Sequence, residues 1–162
     1  MKSLHLLRNI LVLALSLAGS AWAQRAVSVV VTGNQLSGAG TAAIVLASQG
    51  DENALGFSVT FNPAVLRYDG FTAGADVVGA TVNANESQKT SGKIGFAIAV
   101  AAGSRFVPGA RQLVVLKFTV LAAASDTIGF GDAPIRREVA DVTARELPAS
   151  YQPLTIATRR GN

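Results

Sequence analysis

The residues that most often carry out catalysis are scarce in this sequence and lie at one end of it. The single histidine, His5, and the single tryptophan, Trp22, fall within the first 23 of 162 residues, and the sequence has no cysteine. A chain that loses this segment has neither imidazole nor thiolate. Ser-His-Asp and Cys-His triads, and zinc or copper sites built from such ligands, are then excluded. We therefore expect no enzymatic activity and no cofactor.

A carboxylate pair and a Ser-Lys arrangement are the catalytic possibilities that remain, and neither has a local signature in the sequence. Asp51 and Glu52 are adjacent, and Asp69 and Asp76 follow in a turn-rich stretch. Paired carboxylates can act as acid and base, and oxygen ligands from loops can hold Ca²⁺. The EF-hand spacing is absent, however, and carboxylates in turns are normally solvated. We predict no catalytic residue and no metal site, with a structural calcium ion as the open alternative.

The first 23 residues have the organisation of an export signal. Two basic residues precede an apolar run at 10–18, and Ala21-Trp22-Ala23 forms a small-residue cleavage site. Spanning a bilayer takes about 20 apolar residues, which is roughly twice this run, so a cleaved signal is favoured over a membrane anchor. We predict a signal peptide at 1–23, a mature chain from Gln24 that is secreted or periplasmic, and no membrane attachment after cleavage.

The net charge of +4 overstates how basic the mature chain is. Without residues 1–23 the chain keeps 12 basic and 10 acidic side chains. Two of these cations, Arg159 and Arg160, lie in a polar C-terminal tail that we assign to 159–162. A nearly neutral body gives no electrostatic basis for binding nucleic acid, and we expect none.

Alternation of apolar and small or polar residues dominates 24–158, as in half-buried strands. It is clearest at 54–62, 93–100 and 111–120, where one face carries large apolar side chains. Shorter candidate strands lie at 26–31, 41–47, 65–71, 80–84, 127–130 and 151–157. The stretch 135–147 fits a helical stripe nearly as well as an extended segment with a turn, and the extended interpretation is favoured.

Turn residues separate these segments at short intervals, for example at Asn62-Pro63 and Ser91-Gly92. About nine short strands without a convincing helix are typical of an antiparallel β-sandwich or jelly roll. No linker or repeat divides 24–158. We therefore predict a single all-β domain.

The order of several short motifs resembles the cohesin domain. Residues 54–68 read as a strand, an Asn-Pro-Ala-Val-Leu turn and a second strand; 92–99 resemble the sixth cohesin strand and 113–120 the seventh. Each motif alone is weak, but together they cover nearly the whole mature chain in the right order. The resemblance implies a nine-stranded jelly-roll sandwich that binds rather than catalyses.

The resemblance also implies where a partner would bind. Cohesins bind dockerin modules through the outer face of the sheet that contains the third, fifth, sixth and eighth strands. The matching outward positions are Ala54, Gly56, Ser58, Thr60, Gly95, Ala97 and Ala99. Solvated sheet faces usually carry longer side chains, and glycine within a strand often marks a close approach by another group. Two interpretations of these positions stay open. They form an interaction face, or they are small filler residues on a face that is solvated or covered by a loop.

One departure from the family lies on this face. Dockerin-binding cohesins place polar Asn or Asp side chains on the third strand, where this chain has Ala54 and Gly56. The polar dockerin contacts are thus missing, and the resemblance implies a cohesin-like or carbohydrate-binding-module-like jelly roll with an unidentified partner.

Two functions follow from this resemblance. The first is an exported, non-catalytic binding module for protein–protein interaction or extracellular assembly, whose partner is an exported or cell-surface protein. The alternative is a carbohydrate-binding module associated with polysaccharide breakdown, whose partner is a polysaccharide. Sugar binding generally requires exposed aromatic rings, and the candidates here are Tyr68, Phe106 and Tyr151.

Overall fold

The computed structural model describes residues 24–161, so the predicted signal peptide lies outside the described residues. Within this part of the chain, no helix is both long enough and apolar enough to cross a bilayer. The chain forms strands joined by turns and by three short 3₁₀ helices at Thr32–Asn34, Ala75–Val77 and Lys89–Ser91. The strands are β1 (Ala26–Val30), β2 (Gln35–Ser37), β3 (Ala39–Ser48), β4 (Glu52–Thr60), β5 (Leu66–Ala73), β6 (Thr81–Asn85), β7 (Lys93–Ala99), β8 (Gly109–Val120), β9 (Ser125–Gly131), β10 (Glu138–Asp141), β11 (Ser150–Gln152) and β12 (Leu154–Arg159).

These strands build two facing sheets. The first sheet has the order β11-β1-β3-β8-β5, and the second has the order β2-β12-β9-β4-β7-β6. β10 lies off this path and pairs with the first half of β4, while β9 pairs with its second half. Most pairs are antiparallel, but β1 with β11 and β2 with β12 are parallel. The predicted all-β jelly-roll sandwich is confirmed.

The core lies between the sheets and is built from the alternating faces predicted above. Phe57 of β4, Phe96 of β7 and Phe118 of β8 are completely buried. The rings of Phe57 and Phe96 lie 5.6 Å apart between centroids, a normal distance for packed aromatics. The inward face predicted for the three clearest strands is confirmed except at Val100, which lies beyond the end of β7 and is half-buried. The other members are buried: Leu55, Val59, Phe61, Ile94, Ile98, Val114, Leu116 and Val120.

Leu113 is an exception to the predicted alternation, because it faces away from Val114 in an ideal strand and yet is fully buried. The register of β3 with β8 shifts at this point, from Ile44 opposite Val114 to Val45 opposite Gln112. Leu113 is therefore the extra residue of a β-bulge. A bulge rotates the strand locally and allows two successive side chains to be buried.

The structure has more strands than the sequence predicts, because three of them have only three or four residues. β2 and β10 are not predicted, because three or four residues are too few to show a clear alternating pattern. The predicted strand at 151–157 is divided at Pro153 into β11 and β12, which belong to different sheets. The stretch 135–147 is extended, as favoured, since it contains β10 and a turn that returns Glu146 to pair with Ala140.

A buried ion pair fixes the beginning of the described chain to the sandwich. Arg25 is 3% exposed and Glu52 is 0% exposed, and Arg25 Nε lies 2.6 Å from Glu52 Oε1. Arg25 also donates to the Pro148 carbonyl and to Asp51. The guanidinium thus joins β1, the turn between β3 and β4, and the segment before β11.

Candidate functional site

The seven predicted interface residues lie side by side on the outer face of the second sheet. The pairing of β4 with β7 places Ala54 opposite Ala99, Gly56 opposite Ala97, and Ser58 opposite Gly95. Thr60 is opposite Lys93 at the far end of the same pair. Sequence alternation therefore identified one continuous row of small residues across two neighbouring strands.

Part of this row forms the floor of an open groove of about 350 Å³. The floor consists of Ala54, Gly56, Ala97 and Ala99, all of them partly exposed. One wall is β6, through Thr81 and Asn83; the other is the chain from Ile135 to Ala140, which includes β10. We call this feature the β4/β7 groove. Its lining is mostly apolar, with polar and charged groups at the rim.

The segment 134–136 crosses the sheet above Ser58 and Gly95 and also lies against Gly56, at the edge of the floor. A Cβ atom on Gly95 would lie 2.7 Å from Ile135 Cγ1 and 3.0 Å from Pro134 Cγ, too close for any other residue type without displacement. On Gly56, a Cβ would lie 2.9 Å from the Arg136 carbonyl oxygen. The glycines are thus required by the close approach of this segment.

Ser58 fixes the crossing segment by two hydrogen bonds. Its hydroxyl donates to the Ile135 carbonyl at 2.7 Å and accepts from the Ile135 N–H at 2.9 Å. The side chain of Ser58 is completely buried beneath this contact. Ser58 and Gly95 therefore position the wall of the groove, and Thr60 lies outside it, beside Gly129 and Gly131 of β9.

We expect Ser58→Ala to lower the free energy of unfolding by about 1–2 kcal/mol, because it leaves the N–H and C=O of Ile135 without partners beneath the wall. Urea denaturation measures this loss, and amide hydrogen exchange at Ile135 should become faster. The matched control is Ser28→Ala, which removes a longer 3.4 Å bond to the Val45 carbonyl. Equal effects of the two substitutions, or unchanged exchange at Ile135, would contradict this role for Ser58.

Ion pairs hold the loop that forms this wall. Arg137 donates to both carboxylate oxygens of Asp132, at 2.9 and 2.8 Å, and these bonds hold the pKa of Asp132 well below its usual range. At the rim, Arg136 lies 3.1 Å from Glu146 and 3.7 Å from Glu138. Its side chain is 63% exposed, so it is available to a partner.

The three aromatic residues that could bind sugar do not form an exposed platform. Phe106 is buried, and the other two are only partly exposed. The Tyr68 hydroxyl donates to Glu86 at 3.0 Å, while the ring of Tyr151 lies beneath the Arg137 guanidinium at 5.5 Å. No observation here favours sugar binding, and the carbohydrate-binding alternative stays a prediction.

The acidic residues considered for calcium are engaged with cations. Asp51 and Glu52 bind Arg25, Asp69 binds Arg67, and Asp76 binds Arg111. Over residues 24–161, no three His, Cys, Asp or Glu side chains come together as a set that could hold a metal ion. These carboxylates serve the fold, and Glu52 is buried rather than solvated.

Sequence reasoning missed the walls of the groove. Thr81 and Asn83 lie on a short, weakly patterned strand, and Ile135 and Arg136 lie in the stretch whose conformation was ambiguous. No local pattern places either segment beside β4 and β7. Only the two glycines, as markers of close approach, pointed to a covering segment.

Comparison with known proteins supports this fold and identifies the family. A non-cellulosomal cohesin from the archaeon Archaeoglobus fulgidus superposes with a TM-score of 0.69 at 12% identity, over 84% of this chain and 91% of that one. A cohesin module from a family 33 glycoside hydrolase of Clostridium perfringens superposes with a TM-score of 0.69 at 12% identity, over 85% of this chain and 98% of that one. The sixth cohesin from scaffoldin B of Acetivibrio cellulolyticus was solved in complex with a Cel5 dockerin. It superposes with a TM-score of 0.65 at 15% identity, over 86% of this chain and 99% of that one.

No curated protein matches the sequence. The structural likenesses, at identities this low, establish the jelly-roll fold alone. The sequence itself matches the family model for the cohesin domain over residues 26–142. This match spans β1 to β10, including both strands that form the floor of the groove. Because it covers more than half of the chain, the protein belongs to the cohesin domain family.

Proposed function

We propose that this protein is an exported, non-catalytic binding module that recruits a protein partner through the β4/β7 groove. The observation that carries the proposal is the groove itself, a mostly apolar concavity on the outer face of the second sheet, floored by four small residues. Concave, mostly apolar surfaces with a few polar groups at the rim are typical of binding sites.

The floor determines what kind of contact the partner makes. Ala54, Ala97 and Ala99 carry no side chain beyond Cβ, so partner atoms can come close to the backbone of β4 and β7 at these positions, whereas Gly56 lies beneath the Arg136 carbonyl oxygen. One large apolar side chain of the partner would fill much of the groove, and burial of such a side chain contributes about 1.5–3 kcal/mol. Charged groups of the partner would meet Arg136 and Glu138 at the rim.

A dockerin-like module is the partner class that the comparisons support. The Acetivibrio cellulolyticus cohesin above was solved with a dockerin, and another related structure is described as a cohesin–dockerin complex from Clostridium thermocellum. This chain has Ala54 and Gly56 where polar contacts are expected. We infer that its partner relies on apolar contact with the floor, and that any dockerin it binds presents an apolar residue there.

Ala97→Arg is the substitution that tests the groove. The long charged side chain would occupy the floor, and we expect partner affinity to fall about 30-fold, close to 2 kcal/mol. The unmodified protein is purified from the exported fraction, where a first residue of Gln24 also tests the predicted signal peptide. Binding is measured by calorimetry against partners captured from that fraction and against a panel of dockerin modules.

The matched control is Ala73→Arg, which places the same side chain on an exposed position of β5, in the other sheet. It should leave binding unchanged. If Ala97→Arg binds as well as this control, the groove is not the binding surface. If neither captured proteins nor dockerins bind while soluble glycans do, the carbohydrate alternative replaces this proposal.

A further inference from the structure

The two sheets of the sandwich end in four edge strands, β11 and β5 in the first sheet and β2 and β6 in the second. Unpaired strand edges recruit other strands, and proteins protect them by short length, charge, proline or bulges. β11 and β2 have only three residues each. β5 carries the Arg67–Asp69 ion pair and a bulge between Tyr68 and Gly70. Three of these four edges are therefore protected.

The free side of β10 is also closed. The N–H of Leu147 donates to the Val139 carbonyl at 2.7 Å, and the N–H of Asp141 donates to the Arg145 carbonyl at 3.0 Å. The segment 145–147 thus covers that side of β10 much as a further strand would.

β6 has none of these protections. Its five residues, Thr81–Asn85, include no charged residue, proline or glycine. Its register with β7 is continuous from Thr81 opposite Ala99 to Asn85 opposite Gly95, so it contains no bulge. Four of the five residues are exposed, and only Val82 is half-buried. β6 is therefore a regular, uncharged and open strand edge.

The end of β6 is sharply defined. Asn85 Oδ1 accepts from the N–H of Ser87 at 3.1 Å and from its hydroxyl at 2.7 Å, which turns the chain away from the edge. Any strand that pairs here is limited to about five residues. This limit favours one register over the sliding that uniform edges otherwise permit.

We propose that β6 pairs antiparallel with β6 of a second copy of this chain, about a two-fold axis at Asn83. This register places Thr81 opposite Asn85, and Val82 opposite Ala84, of the other copy. No like charges face each other, and Thr and Asn side chains hydrogen-bond across strands. Two-fold contacts between identical surfaces are the commonest form of self-association.

A second copy fits this edge better than an unrelated strand for two reasons. β6 carries no charge that could select an oppositely charged strand, whereas the β6 of a second copy has the same length and the same uncharged side chains. In addition, the two-fold register places Thr81 of each copy opposite Asn85 of the other and Val82 opposite Ala84, so polar side chains face polar ones and apolar side chains face apolar ones. The inference concerns the backbone edge of β6, whereas the side chains of Thr81 and Asn83 also line the β4/β7 groove.

The expected association is weak. Five paired residues form an interface below about 1,200 Å², which is the range of transient contacts, with a Kd on the order of 0.1 mM. Sedimentation velocity of the full chain, purified after expression, should show a monomer–dimer equilibrium. Asn83→Lys should abolish it by placing like charges at the axis, while Thr72→Lys, the same change on exposed β5, should preserve it.

Disulfide trapping provides an independent test, because the sequence has no cysteine. Opposed Cα atoms in antiparallel pairs lie about 4.5–5.5 Å apart, within the range that a disulfide spans. In a glutathione redox buffer, Asn83→Cys should form covalent dimers at least 10-fold faster than Thr72→Cys at equal concentration.

Three results would overturn the proposal. The first is a protein that stays monomeric up to about 1 mM, well above the expected Kd. The second is a dimer that survives Asn83→Lys, or trapping that is no faster at position 83 than at position 72. The third is protection of β6 amides from hydrogen exchange only when another protein is added, which would assign the edge to a strand of that protein.

Discussion

Glu52→Gln is expected to lower the free energy of unfolding by about 3–4 kcal/mol at neutral pH, because it removes the negative charge that faces a buried guanidinium. The carboxylate accepts hydrogen bonds on both of its oxygens. Oε1 accepts from Arg25 Nε at 2.6 Å and from the Gln49 N–H at 2.9 Å. Oε2 accepts from the Ser48 hydroxyl at 2.6 Å and from the Gly50 N–H at 3.0 Å. A glutamine amide replaces one acceptor oxygen with a donor, so at least one of these groups loses its partner.

The effect should depend on pH in a defined direction. Burial disfavours the charged form of Glu52, but the hydrogen bonds from Gln49, Ser48 and Arg25 outweigh burial and lower its pKa to about 2. An ordinary glutamate has a pKa of about 4.3. Because the pKa of Glu52 is lower in the folded state than in the unfolded state, the stabilisation is fully present above about pH 4.3 and is lost as the pH falls toward 2. A shift of two pKa units corresponds to about 3 kcal/mol.

Urea denaturation at a series of pH values measures both the loss of unfolding free energy in Glu52→Gln and its dependence on pH. The difference between wild type and Glu52→Gln should be largest above pH 5 and should shrink toward pH 2. Glu146→Gln is the matched control, since it makes the same chemical change in the exposed pair with Arg136 and should cost less than about 1 kcal/mol. A difference that does not vary with pH would mean that packing, rather than charge, accounts for the loss.

Gly92→Ala is expected to lower the free energy of unfolding by about 3 kcal/mol. Gly92 ends the third 3₁₀ helix in the left-handed conformation, with φ of 73°, which costs a side-chain-bearing residue about 1 kcal/mol. A Cβ at this position would also collide with the Phe61 carbonyl oxygen and lie 2.9 Å from Pro63 Cδ. The backbone would have to separate there, weakening the 3.0 Å bond from the Phe61 N–H to the Gly92 carbonyl.

The control for this prediction is Gly103→Ala. Gly103 has a φ of 78°, close to that of Gly92, but a Cβ there would meet no atom within 4 Å. This variant should therefore lose only the conformational term of about 1 kcal/mol. Thermal or urea denaturation of both variants separates the two contributions. If they lose the same stability, the contact between Gly92 and the turn after β4 does not matter.

The strands β4 and β7 show how much of the site the sequence could predict. Alternation at 54–62 and 93–100 correctly assigned which side chains face the core, because the two faces of a strand are defined by a two-residue repeat that is local. The same alternation placed Ala54, Gly56, Ala97 and Ala99 on one outer surface, and the register of β4 with β7 brings them together. Short strands such as β10 were missed because four residues are too few to show a repeat.

Local patterns in the sequence predict the longer strands and place the chain in the cohesin family, because alternation and short motifs are properties of residues near one another in the chain. Which of the small residues stay open depends instead on contacts between residues far apart in the chain. Ser58 bonds to Ile135, 77 residues away, and Arg25 pairs with Glu52, 27 residues away. Such contacts follow from how the sheets close on each other. No local period encodes them, and this is why the groove and its wall emerge only in the folded chain.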